Sequence, residues 1–190
     1  MERRYSADSG YSVDAYFDLV RQGVLDERDR VELLDGVIVA EPPMDPLHAT
    51  GISMVAEALR SAVGTRALIR IQSPFIAGRH SAPEPDVAIV SGRAADYLDH
   101  HPSEALLVVE VSQSSLKQDR LSISRIYAGA QVPEYWIVNL RYDCIEIFRA
   151  PDAARLVYGA RAIGQHGDHL RLVALPEVSV AVDDLLPPRR

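Results

Sequence analysis

The sequence predicts a mixed α/β (α+β) fold in which strands dominate and helices enter before and between them. Three observations carry this. Leu106-Leu107-Val108-Val109 is a continuous apolar run of the kind found in a central strand buried on both faces. Asp35-Gly36 between two β-prone runs is a strong hairpin signal. Two further stretches space their apolar residues at helical intervals.

Taken in order, residues 1–11 are polar and expected to be loose. Ser12 caps a helix over 13–22, where Phe17, Leu19 and Val20 give apolar contacts and Gly23 ends it. Val31 to Val39 forms two strands joined at Asp35-Gly36. The proline-rich stretch Glu41 to Pro46 is a loop. A longer helix covers 47–63, with Ile52, Val55, Ala56 and Leu59 on one face and Gly64 past its end. Strands follow at Ala67–Gln72, near Phe75-Ile76, at Asp86–Val90 and at Ala105–Val111. Ser115 with Gln118 fits a capping box that opens a helix over 116–129. Tyr135–Leu140 and Cys144–Phe148 are strands around an Arg141-Tyr142-Asp143 turn. Weaker strands occupy 155–180, and Val182–Leu186 is a last short turn. The expected organisation is one domain over 12–186 and a tail at 187–190.

Composition excludes several classes. The chain has 190 residues, enough for a substantial core. No apolar run approaches the roughly 20 residues of a membrane-spanning helix, and the first residues lack a secretory signal, so a cytoplasmic protein with no membrane partner is expected. One cysteine, Cys144, rules out internal disulfides and cysteine metal clusters. The net charge of −7 argues against broad phosphate neutralisation, while leaving room for carboxylates that hold cations. Among the basic residues Lys117 is the sole lysine.

Three acids sit where strands begin or end. Glu32 lies on the first strand, Asp86 opens a strand after Pro83-Glu84-Pro85, and Glu110 ends the most apolar strand. A lone buried carboxylate costs several kcal/mol unless paired or metal-bound, so Glu110 needs a partner. Two readings are open. Asp86 and Glu110 on neighbouring strands would converge on a hard cation such as Mg²⁺. Alternatively Glu110 pairs with an arginine such as Arg70.

The pieces Glu32-Leu33-Leu34-Asp35-Gly36, His48 at a helix start, Pro83-Glu84-Pro85-Asp86-Val87, Val109-Glu110-Val111-Ser112 and Val132 to Val138 occur in this order. The set resembles the Uma2 family (DUF820), restriction-endonuclease-like proteins of the PD-(D/E)XK nuclease superfamily. The resemblance implies a restriction-endonuclease-like core with a mixed β-sheet flanked by helices. It also implies hydrolysis of phosphodiester bonds in DNA with Mg²⁺, or Mn²⁺ as substitute. By the same resemblance, Asp86 and Glu110 match the metal-binding pair and Glu32 an outlying acid beside it. Gln72 and His48 match site-adjacent positions, the histidine without an assigned role. A homodimer fits a nuclease that cuts both strands.

The sequence departs from the family at its lysine. Two residues after Glu110 stands Ser112, and on the following helix the pattern Asp-x-x-x-Lys-x-x-x-Tyr reads Asp119, Ile123, Tyr127. Isoleucine carries no charge. Arg120, three residues before Ile123, would supply a fixed positive charge, and Lys117 would have to swing in from the first turn. Loss of one transition-state donor costs about two to three orders of magnitude in rate. The expectation is therefore a slow endonuclease, with a catalytically inactive module for nucleic-acid binding or dimerisation as the alternative. Other features compete poorly: phosphate-binding glycine loops are absent, and His100-His101 reads as a solvated loop. Tyr135 and Trp136 read as core. Arg66, Arg70, Arg79, His80 and Arg93 flank the site strands and either meet phosphates or form an ordinary charged surface.

Overall fold

A computed structural model describes residues 10–26 and 28–188. Most of the segment expected to be loose, 1–9, and the last two residues of the tail lie outside the described residues. Helix α1 spans Val13–Arg21, and the Ser12 side chain accepts from the Ala15 N–H as its cap. Strands β1 (Val31–Leu34) and β2 (Val37–Ala40) pair antiparallel. Asp35 and Gly36 both have positive φ, 47° and 81°, as a two-residue hairpin turn requires. Backbone hydrogen bonds from Gly36 N–H to His80 O and from Ala82 N–H to Leu33 O fasten this hairpin to the segment that leads into Asp86.

Helix α2 (Pro46–Val63) follows, capped by Asp45, with Gly64 at its end. The main sheet then forms from β3 (Leu68–Ile71), β4 (Val87–Val90), β5 (Leu107–Ser112), β6 (Glu134–Asn139), β7 (Cys144–Asp152) and β8 (Val157–Gly164), in spatial order 3-4-5-6-7-8. Only β5 and β6 run parallel; every other neighbouring pair is antiparallel. A parallel pair needs a long crossover, and the connection is helical: α3 (Leu116–Gln118), a π-helical turn (Asp119–Ile123) and α4 (Ser124–Gly129). A small antiparallel pair, β9 (His169–Arg171) with β10 (Ser179–Ala181), precedes α5 (Val182–Leu185).

The sheet is covered on both faces. Leu107, Val109 and Val111 of β5 pack with α2 and the C-terminal elements, whereas Val108 packs with Ile126 and Tyr127 of α4. Alternation along the strand puts Glu110 on the α4 face, a carboxylate set in a buried apolar row. Trp136 and Tyr135 are fully buried, one on each face. Gly51 sets how closely α2 approaches: a Cβ there would stand 2.9 Å from Val111 Cγ1. His48, one turn earlier, is thereby held against the sheet end.

Two local expectations are corrected. No strand forms near Phe75-Ile76, where the chain is tied instead by Phe75 N–H to Pro83 O and Ile76 N–H to Pro102 O. Pro74, Pro83 and Pro85 lack the donors a ladder needs. Ser115 makes no capping bond, and the helix it was to open breaks into three parts. Its hydroxyl donates to Asp119 Oδ2 at 2.8 Å.

Candidate active site

Asp86 and Glu110 meet because β4 and β5 are neighbours whose register pairs Val87 with Val109. The Asp86 N–H donates to Glu110 Oε2 at 3.2 Å, and the Val111 N–H donates to Asp86 Oδ2 at 2.8 Å. Each carboxylate is thus gripped by the other residue's strand. Tyr127 of α4 donates its hydroxyl to Glu110 Oε1 at 2.8 Å. Among the described residues no arginine pairs with Glu110, so the reading with Arg70 as partner is corrected. Burial, then the Asp86 and Asp119 charges, push the Glu110 pKa well above the ordinary value.

The other members stand around this pair. His48 Nε2 lies 3.3 Å from Asp86 Oδ2, and the Gln72 amide donates to Asp86 Oδ1 at 3.5 Å. Gln72 adopts φ 41°, a left-handed conformation that a side-chain-bearing residue holds only where its surroundings enforce it. The Gln72 N–H bonds to the Pro85 and Asp86 carbonyls at 3.1 and 3.2 Å, which supplies that constraint. Glu32 stands at one remove: its Oε2 accepts from the Glu84 N–H at 3.1 Å. Burial pushes the Glu32 pKa up to about 7, and burial with Glu41 does the same to Glu84. Among the described residues no set of three or more His, Cys, Asp or Glu side chains forms a ready metal cage. The expected three-acid pocket is therefore a contacting pair with Glu32 beside it.

Sequence reasoning gave Tyr127 and Asp119 no place in the site. Asp119, on the π-helical turn, is buried, and burial raises its pKa against bonds from Ser112 and Ser115. π-Turns inside helices occur often at functional sites. The signal was present: Asp119 and Tyr127 are eight apart, two turns on one helix face.

Neither expected cation reaches the pair. Arg120 donates from Nε to both Glu146 oxygens, at 3.1 and 2.9 Å, which corrects the expectation that it turns toward Asp86 and Glu110. Glu146 lies two strands from Glu110, since Ile137 pairs with both, and also takes Arg161 and the Asn139 amide. Lys117 is exposed on α3. Ile123 is buried with Phe75, Leu34 and Tyr127.

The Glu146 cluster makes a pH prediction. Burial pushes its carboxyl up, but hydrogen bonds from Arg120 and Asn139 outweigh that and hold its pKa below the ordinary 4.5. A depressed folded pKa contributes stability that is present above the unfolded value and lost as pH falls through the folded one. Wild type is expected to lose its stability advantage over Glu146→Gln as pH drops below about 4.5. Urea midpoints of the two proteins at several acid pH values check this; a constant gap would refute it.

Comparison with known proteins adds family evidence. The Uma2 family model, described as "Putative restriction endonuclease", matches residues 13–183. A solved structure described as "a putative nuclease belonging to DUF820", from Anabaena variabilis ATCC 29413, superposes with a TM-score of 0.69 at 14% identity. The match covers 92% of this chain and 97% of that one. No curated protein matches the sequence.

Proposed function

Because this chain belongs to the Uma2 family, we propose that it is a metal-dependent nuclease that hydrolyses phosphodiester bonds in DNA at Asp86 and Glu110. The observation that carries the reading is the pairing of two acids from adjacent strands, each carboxylate held by a backbone N–H of the other's strand, with no arginine or lysine among the described residues to neutralise them. Like charges so placed repel, and a hard cation relieves the repulsion. The donor set fits Mg²⁺, which binds through one or two carboxylates and fills its other positions with water and phosphate oxygens. Asp86 and Glu110 would hold it. When bound, the cation lowers the pKa of coordinated water and offsets charge on the phosphate.

The surrounding residues act on that pair. Tyr127 fixes the Glu110 carboxylate from the helix side, and the Val111 N–H fixes Asp86 from the sheet. His48 and Gln72 approach Asp86 from two other elements and fix its orientation. Hydrogen-bonding partners of this sort keep ligands in place before a cation arrives. Glu32 stands at one remove, its carboxylate tied to the Glu84 N–H of the segment that leads into Asp86.

A second reading has its own observation. Ile123 is 4% exposed and apolar where the family has lysine, and Arg120 is committed to Glu146. On that reading the fold serves as a non-catalytic nucleic-acid-binding or dimerisation module. Incubating the protein with plasmid and single-stranded DNA in Mg²⁺ or Mn²⁺, beside Asp86→Ala, separates the two. The nuclease reading expects nicking by wild type alone; equal nicking by both, or none by either, overturns it.

A further inference from the structure

The edge strand of the main sheet carries a cation that the proposed chemistry does not use. Arg70 lies on β3, opposite Ala88. Ile69 packs on the α2 face, so alternation directs Arg70 to the face that holds Asp86 and Gln72. Its Nε is shielded from solvent and has no hydrogen-bond partner. Among the described residues no carboxylate pairs with it, although the chain carries a net charge of −7. The guanidinium rests over the Tyr97 ring, 5.7 Å from the centroid. Tyr97 packs on His100 at 5.5 Å. His101 stacks on Phe17 at 5.1 Å with the planes 25° apart.

Phe17, Gln72 and His101 help to line a cleft of about 520 Å³, together with Arg30 and the acids Asp26, Glu41 and Glu84. Gln72, whose amide donates to Asp86, thus links the cleft to the acidic pair. Burial, then the Arg70 and His100 charges, push the His101 pKa down, which leaves Arg70 as the fixed positive charge. A buried donor without a partner calls for one, and the planar arginine fork matches a phosphate with two parallel hydrogen bonds.

We propose that Arg70, backed by Tyr97, forms a subsite for a backbone phosphate of the nucleic-acid strand whose scissile bond is held at Asp86 and Glu110. The inference rests on the nuclease reading above.

The test is fluorescence anisotropy with labelled single-stranded and duplex oligonucleotides lacking terminal phosphates. Ca²⁺, an oxygen-binding cation, is offered in place of Mg²⁺, and salt is varied from about 50 to about 200 mM. Arg70→Gln is expected to weaken binding several-fold for any sequence. It should also flatten the slope of log affinity against log salt by about 0.7 to 0.9. Arg70→Lys keeps the charge and is expected to keep the slope. Unchanged melting temperatures establish that the variants fold; should Arg70→Gln fail to fold, Arg70→Met under the same salt series replaces it. A wild-type slope and affinity in Arg70→Gln, alongside loss of nicking in Asp86→Ala, would overturn the subsite and leave the nuclease reading standing. The same flattened slope in Arg70→Lys would mark a packing role and also overturn it. Inorganic phosphate that raises the wild-type melting temperature but not that of Arg70→Gln, with oligonucleotide affinity equal in the two, would assign the site to free phosphate instead. If wild type binds neither oligonucleotide and nicks no DNA, subsite and nuclease reading fall together.

Discussion

Glu110→Gln is expected to abolish divalent-cation binding and to lower plasmid cleavage by about a thousandfold, since metal stabilisation of transition-state charge supplies several kcal/mol. The substitution keeps the shape of the side chain, removes its charge and replaces one acceptor oxygen with an NH2 donor. Tyr127 and the Asp86 N–H, which now hold the two oxygens, remain in place. A binding readout separates loss of the site from loss of the fold. At about 100 times its dissociation constant a ligand stabilises the folded state by about 2.7 kcal/mol. For a chain of this size that amounts to a rise of about 5–10 °C in melting temperature. Mn²⁺ should produce such a rise in wild type and none in Glu110→Gln. An equal rise in both would show that the cation sits elsewhere, and the carboxylate pair would lose its proposed role.

Arg149→Met is expected to cost about 3–5 kcal/mol, the usual penalty for leaving a buried charge without its counterion. Glu134 opens β6 with 0% exposure. Its Oε1 accepts from Arg149 Nε at 2.8 Å and from Trp136 Nε1 at 2.9 Å. Its Oε2 accepts from the Val173 N–H at 2.8 Å. Without Arg149 the carboxylate keeps two neutral donors and no positive charge. Adding Glu134→Gln to the same protein removes the orphaned charge, so the double variant should recover much of the loss. Urea midpoints of the single and double variants decide: no recovery in the double variant would mean that Arg149 acts by packing alone. The Glu134–Trp136 contact explains how a polar indole sits fully buried in a strand that otherwise reads as apolar.

Local signals in the chain tracked local structure closely. Ser12 caps α1, Asp35-Gly36 turns the first hairpin, Gly64 ends α2, and the apolar run at 106–109 feeds the central strand β5. Each depends on contacts within a few residues, which is why periodicity and turn chemistry read them. The helix after Ser115 was harder. Its serine hydroxyl is drawn to Asp119 rather than to a helix N–H, and the wide π-turn that follows packs on the sheet, where the Tyr135 hydroxyl donates to the Asp119 carbonyl. The segment around Phe75 has the apolar side chains of a strand, but the nearby prolines deny it a ladder.

The acids themselves were visible one by one. Glu110 interrupted an apolar strand, and a buried carboxylate must have a partner wherever it lies. That Asp86 would be the partner depended on β4 and β5 being neighbours, a pairing between residues 24 apart in the chain. Arg120 shows the limit plainly. Its place on the helix is the same whether it faces Glu110 or Glu146, and only the rotation of the π-turn and the position of β7 directed it to the latter.

By itself the sequence determined the kinds of element, their order, and the need to neutralise a carboxylate at the end of the central strand, because these follow from burial and short-range geometry. The tertiary structure alone decided which charges meet. Electrostatic partners are set by distances across the sheet, and strand order and register create those distances.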